Sequence, residues 1–243
     1  MKRVARIDDN VVALKPFISI ETILTCNARC VMCVHGEQPM IGTMDEELFR
    51  KIVDQAAAMG AKAVGLSIYG EPFADKNFVE RVAYVRAKGL SYSLFSNGSL
   101  LREDRIKRML DLGGFESINF NVNGFSKEIY ENVMPPLNRE KVYGRRSCAD
   151  RRSGRLAGRN ELWPKPGPKR RHQRGVKEAW LSPRQSLWSS LYVYYDGRVS
   201  PCCEDAAARN LIIGDYREEA LADTWRGHAI SALRAQNRNN QRG

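Results

Sequence analysis

Two hydrophobic periods take turns along the first half of the chain. FISIETIL (17–24) is an apolar run of strand length that leads straight into a cysteine-rich loop. The set Thr43-Met44-Asp45-Glu46 has the pattern of a capping box, and the amphipathic run DEELFRKIVDQAAAMG follows it, so a helix is predicted from there to about Gly60. KAVGLSIYG (62–70), LSYSLFSNG (90–98) and FESINFNVNG (115–124) read as three further strands. Between and after them NFVERVAYVRAKG (77–89), LREDRIKRMLDLGG (101–114) and the shorter SKEIYENVM read as helices. Four strand–helix alternations with short links predict parallel strands joined by right-handed crossovers, in a barrel or an open sheet. SLWSSLYVYYDGRVSPCC (186–203) brings back order late in the chain, with YVYYDGRVS forming a hairpin that turns at Asp196-Gly197. EEALADTWRGHAISALRAQ (218–236) reads as a closing helix interrupted near Gly227.

Between these two parts neither period holds. Residues 145–185 are rich in Arg, Gly, Ser and Pro, and WPKPGP excludes regular structure. Of the chain's 39 Lys and Arg, 13 lie between Arg145 and Arg184 beside only 3 of its 28 acids, a local net of +10. The other 26 bases and 25 acids nearly cancel, so the basicity belongs to one segment. Three readings fit that segment. It binds RNA or another polyanion, with Trp163 and Trp180 as stacking platforms. It is a solvated insertion. Or it is out-of-frame coding of a GC-rich gene, the reading favoured here, with sensible sequence resuming near Leu187. The organisation expected is 1–144, a basic irregular 145–185, and 186–243. The 243 residues suffice for one large α/β domain, or a domain with a small appendage. No apolar run of 18 residues suggests a membrane span, and Asp8 and Asp9 interrupt the start before any signal-like apolar stretch. A cytoplasmic, reducing location is expected, where clustered thiols suggest metal or redox chemistry.

The clustered thiols are Cys26, Cys30 and Cys33, half of the chain's six cysteines. Two chemistries suit them. With His35 they would fill the four positions of a structural zinc site. Alternatively they would hold three irons of a four-iron cluster, leaving one iron open to a small molecule. The candidate polar positions farther along, Gly70-Glu71-Pro72, Ser96-Asn97-Gly98, Asn121 and Asn123, all fall at carboxyl ends of predicted strands. Parallel α/β folds bind ligands on that edge.

With this cysteine spacing after the first strand, Tyr69-Gly70-Glu71-Pro72 ending the second (a GGEP-like motif with Tyr in place of its first Gly) and Ser96-Asn97-Gly98 ending the third, residues 17–124 resemble a radical S-adenosylmethionine (radical SAM) enzyme. The resemblance implies an α/β fold: a partial (β/α) TIM-like barrel, here incomplete after its fourth strand–helix unit, plus a small C-terminal hairpin–helix extension. It implies a four-iron, four-sulfur (4Fe-4S) cluster on Cys26, Cys30 and Cys33, with S-adenosylmethionine chelating the fourth iron. Met32, Gly70, Glu71, Pro72, Ser96, Asn97, Asn121 and Asn123 are its implied cofactor contacts. The implied activity is reductive cleavage of S-adenosylmethionine to a 5′-deoxyadenosyl radical, which abstracts hydrogen from a peptide or small-molecule substrate. An electron donor such as a flavodoxin or ferredoxin is the implied partner. Asp196-Gly197, Cys202-Cys203, Ile213-Gly214-Asp215 and Trp225 resemble the SPASM or twitch extension, which carries auxiliary clusters. Here no cysteine stands near Ser182–Ser186 or after Cys203, and two adjacent thiols, Cys202 and Cys203, cannot hold a four-iron cluster unaided. The rival expectations are a zinc-stabilised, basic nucleic-acid-binding module and an inactive remnant of the family.

Overall fold

Strands that are apolar on both faces need cover on both, and four of them line up in parallel. In the computed structural model, which describes residues 15–37, 40–145, 186–203 and 211–239, these are β1 (Phe17–Ile20), β2 (Ala63–Gly65), β3 (Ser91–Ser96) and β4 (Phe115–Phe120). The basic stretch 146–185, with the three readings of it and Cys148, lies outside the described residues. The helices of this part are the single turn α1 (Val34–Glu37), α2 (Glu46–Ala58), α3 (Phe78–Ala87), α4 (Glu103–Leu112) and α5 (Lys127–Val133). Residues 139–145 are helical as well. Ile18 stands opposite Val64, Val64 opposite Tyr92, and Ser96 opposite Phe120.

Three expected strands stop early, the fourth at Phe120 and not at residue 124, and for the first two the reason bears on the site. The first was expected to run to residue 24, but after Ile20 the chain leaves the sheet: Ile23 forms an antiparallel bridge with Thr43, and Leu24 N–H donates to the Gly42 carbonyl at 2.8 Å. The second was expected to reach Gly70 and stops at Gly65, with residues 66–70 turning towards residues 23–25. Helix α2 is capped by Asp45, whose Oδ1 accepts from Leu48 N–H at 2.7 Å, because Thr43 is engaged in the bridge. It ends as expected before Gly60, which sits at φ 74°.

The late part of the chain adds α6 (Ser186–Ser189), β5 (Ser190–Val193), β6 (Arg198–Ser200), β7 (Gly214–Asp215), α7 (Leu221–Arg226) and α8 (His228–Asn239). The hairpin forms between β5 and β6 with Gly197 at φ 95°, and an extended Gly227 separates α7 from α8. Sequence reasoning did not foresee that β5 pairs in parallel along the whole of β1, from Phe17↔Ser190 to Ile20↔Val193. One seven-stranded sheet results, in the order β4-β3-β2-β1-β5-β6-β7. Its core is continuous: Ile18, Val64, Phe49, Ile52, Val82 and Tyr92 share one buried cluster with Leu191, Val193, Trp225 and Ile230.

Two buried arginines fasten the two ends. Arg81 pairs with Asp75 at 2.8 Å and lies over the Phe49 ring. Arg234 donates to the carbonyls of Leu187 and Trp225 and lies over the Trp225 ring. No helix among the described residues is long and apolar enough to cross a membrane. Phe49 is fully buried between sheet and Arg81. Phe49→Ala is expected to lower unfolding free energy by about 3–5 kcal/mol in urea titrations, the usual cost of emptying such a volume.

Candidate functional site

Where β1 leaves the sheet the cysteine loop begins, and it is pinned from two directions. On one side Arg29 N–H donates to the Pro135 carbonyl at 2.6 Å and Val31 N–H to the Val133 carbonyl at 3.0 Å, which docks the loop on the end of α5. Beneath it Ala28 is buried with Tyr130, Met134, Leu137 and Val142, and Cys26 and Cys30 pack against that small apolar cluster. The sequence signal for this support was weak, because only Tyr130 and Met134 lie in the short helix candidate. Inside the loop Cys33 N–H donates to the Cys30 carbonyl at 2.9 Å and Gly36 N–H to the Cys33 carbonyl at 2.8 Å. A Cβ on Gly36 would lie 2.6 Å from the Cys30 carbonyl oxygen, so this tight turn requires glycine.

Cys26, Cys30 and Cys33 are half-buried free thiols that feel one another electrostatically. Burial, and then the neighbouring Cys26 and Cys33, push the Cys30 thiol up to about 11. Burial also raises Cys26, with further contributions from Glu71 and Cys33, against the Ala28 N–H and the Asn97 amide, which lower it. Cys26 and Cys30 are thus held towards their protonated forms until a cation compensates the charge, as it does for metal ligands. Among the described residues no three His, Cys, Asp or Glu side chains converge on a point that would hold a single ion. A multi-iron cluster takes its thiolates on separate irons. His35 is buried, its Nδ1 accepts from Met40 N–H at 3.5 Å, and burial lowers its pKa against a hydrogen bond to the Leu24 backbone, which raises it.

On the other side the loop meets the end of β2. A Cβ on Gly70 would collide with the Ile23 carbonyl, so only glycine lets residues 23–24 lie against it. Glu71 N–H donates to the Thr25 carbonyl at 3.1 Å, and Pro72 opens a 3₁₀ turn. The Glu71 side chain is buried and gathers its neighbours: Phe73 N–H (3.2 Å) and Ser96 Oγ–H (2.8 Å) donate to Oε1, and Asn97 N–H (2.7 Å) donates to Oε2. Burial outweighs these three hydrogen bonds and pushes its carboxyl up from 4.5 to about 6. Ser96 Oγ also accepts from Gly98 N–H at 2.9 Å. The structure thus brings Gly70, Glu71, Pro72, Ser96 and Asn97 together beside Cys26, with the side chains of Glu71, Ser96 and Asn97 hydrogen-bonded within the protein. Asn121, Asn123 and Met32 lie on the same edge and are exposed, with Asn123 Nδ2 4.0 Å from Met32 Sδ. Asn27 and Ser99, which no sequence argument singled out, complete the cluster: Asn27 Nδ2 donates to Ser99 Oγ at 2.8 Å.

The tail reaches this edge too. Tyr69 Oη–H donates to the Cys203 carbonyl at 2.9 Å. Cys202 is buried, and its N–H donates to Ser200 Oγ at 3.2 Å. Tyr192 is pushed up to about 12 by burial and by the neighbouring Cys203 thiol.

Gly70→Ala is expected to force the two loops apart, lowering both the unfolding midpoint and the iron retained by the protein, read by thermal denaturation and metal analysis. For Glu71 the folded carboxyl holds its proton at a higher pH than the unfolded one. The stability it contributes is complete below about pH 4.5 and lost as pH rises through about 6. In urea titrations of the metal-free chain, the parent is expected to lose about 2 kcal/mol across that window relative to Glu71→Gln, whose own stability is lower throughout because its amide faces donors. Parallel pH profiles for the two proteins would contradict this.

Comparison with known proteins agrees with the geometry. The chain is 33% identical over 100 residues to a tungsten-containing aldehyde ferredoxin oxidoreductase cofactor-modifying protein of Pyrococcus furiosus, covering 40% of this chain and 28% of that protein. It is 27% identical over 101 residues to an Fe-coproporphyrin III synthase of Methanosarcina barkeri, covering 41% and 25%. The chain spans between 25% and 39% of the length of the curated relatives it matches. Among solved structures, BtrN in complex with AdoMet and 2-DOIA matches with TM-score 0.66 at 20% identity, over 95% of this chain and 89% of that one. SuiB of Streptococcus suis bound to precursor peptide SuiA matches with TM-score 0.69 at 9% identity, over 91% and 67%. At those identities the likeness shows a shared fold. Residues 20–144 match the radical SAM superfamily and residues 185–242 the SPASM iron–sulfur cluster-binding domain. A half-buried thiol trio at the carboxyl edge of a parallel sheet, in a segment that matches over half the chain's length, places this protein in the radical SAM superfamily.

Proposed function

We propose that this chain is a radical SAM enzyme that abstracts hydrogen from a peptide or small-molecule substrate. The observation that carries the reading is the docking of Cys26, Cys30 and Cys33 between the ends of β2 and α5, beside Gly70–Pro72 and Ser96–Asn97. In this reading the three thiolates hold three irons of a 4Fe-4S cluster. When bound, the cluster and S-adenosylmethionine supply the one-electron chemistry of the reaction. The backbone at Gly70–Pro72 lines the cofactor's approach, and Glu71 keeps that turn joined to Ser96 and Asn97. Met32, Asn121 and Asn123 are the exposed groups on this edge that would contact S-adenosylmethionine. Exposed Val31 and Met32 put the loop within reach of an electron carrier such as a flavodoxin or ferredoxin. A peptide substrate is supported by the structures of SuiB with SuiA and of anSMEcpe with AdoMet and a peptide, and a small-molecule substrate by BtrN with 2-DOIA.

The test is anaerobic reconstitution followed by reduction in the presence of S-adenosylmethionine. The parent is expected to bind iron and sulfide and to release 5′-deoxyadenosine, whereas Cys30→Ala binds less iron and releases none. Equal iron content and colour in parent and Cys30→Ala would overturn the reading.

A further inference from the structure

Asn27 directly follows the first cysteine, yet its side chain leaves the cysteine loop and reaches the turn after β3. Its Nδ2 donates to Ser99 Oγ at 2.8 Å, and its Oδ1 accepts from Asn97 Nδ2 at 3.1 Å. Asn97 is held on every polar atom of its side chain. Its Oδ1 accepts from Ser99 N–H at 2.8 Å, which sets the amide the right way round, and its own N–H donates to Glu71 at 2.7 Å. The same Nδ2 lies 3.9 Å from Cys26 Sγ. Asn97 and Ser99 are both 6% exposed, so water competes little for these bonds. Among the described residues no side-chain donor reaches Cys30 or Cys33, so the clip acts on one sulfur of the three.

An N–H directed at a cysteine sulfur stabilises negative charge there, and hydrogen bonds to the sulfurs help set the potential of iron–sulfur clusters. We infer that Asn27 and Ser99 are positioning residues that hold the Asn97 amide on Cys26, fixing that ligand and raising the reduction potential of the cluster it binds. The cluster half of this inference rests on the proposed function; the clip itself does not.

Two measurements test it. In the metal-free reduced chain, alkylation by iodoacetamide is followed by peptide mass spectrometry, with Cys30 as the internal reference. Asn27→Ala and Ser99→Ala are expected to lower the Cys26-to-Cys30 rate ratio several-fold, because the thiolate is the form that reacts and it loses its N–H donor, and Ser99→Thr, which keeps the hydroxyl, to leave it parental. In the reconstituted protein both alanine variants are expected to shift the midpoint potential negative at unchanged iron content, with Ser99→Thr close to the parent. A parental or raised alkylation ratio in both alanine variants overturns the clip. A lowered ratio with an unmoved potential overturns its tuning role. A parent that takes up no iron defeats the proposed function, while the alkylation ratio still decides the clip. Should Asn27→Ala fail to fold, Ser99→Ala alone carries the comparison, because it leaves the cysteine loop's own residues intact.

Discussion

The contact between the Gly70 backbone and the chain at Ile23–Leu24 governs the rest of the site. Two loops from neighbouring parallel strands can come this close only where one of them has no Cβ. Once they touch, Glu71 N–H reaches the Thr25 carbonyl, and the first cysteine starts from a fixed point at the sheet edge. The far end of the cysteine loop is fixed independently, by the carbonyls of Val133 and Pro135 at the end of α5. A loop anchored at both ends can present three sulfurs to one polynuclear guest before any metal binds, so little ordering entropy remains for the binding step.

The polar arrangement beside it runs against stability. A carboxyl buried as completely as Glu71 is unfavourable when charged, and its three donors offset this only in part, as its raised pKa records. What the buried cluster supplies is definition. Each member of the set Glu71, Ser96, Asn97, Asn27 and Ser99 has its partner inside the set, so the ends of β2 and β3 and the cysteine loop adopt one mutual arrangement. The exposed side chains of Met32, Asn121 and Asn123 stand on the rim of that patch.

The tail braces the same loop from the other side of β1. By pairing with β1, strand β5 satisfies an edge that would otherwise be open. Glu21 N–H donates to the Val193 carbonyl, and the Glu21 carboxylate accepts from Tyr195 N–H just before the chain turns into the cysteine loop. The Tyr195 ring lies over Gly42, whose carbonyl receives Leu24 N–H. Tail and thiol loop are therefore joined through a few residues at the end of β1, and Tyr69 adds a second link through the Cys203 carbonyl.

The alternation of periods by itself determined four parallel strand–helix units. The hairpin at Asp196-Gly197 and the helix break at Gly227 were legible for the same reason, since turn and period are written in neighbouring residues. The spacing of Cys26, Cys30 and Cys33, with glycine and polar residues closing each strand, pointed to the carboxyl edge of the sheet as the candidate site. Strand ends were misjudged at 21–24 and 66–70 because apolar residues there serve loop packing as well as strands. Only the tertiary structure decided that Gly70 is a close-approach residue, that Glu71 faces its neighbours and not the rim, that Asn27 and Ser99 belong to the site, and that β5 zips onto β1. Each of these depends on contacts between residues from 25 to more than 170 positions apart, and local periodicity holds no record of which distant partner a side chain will meet.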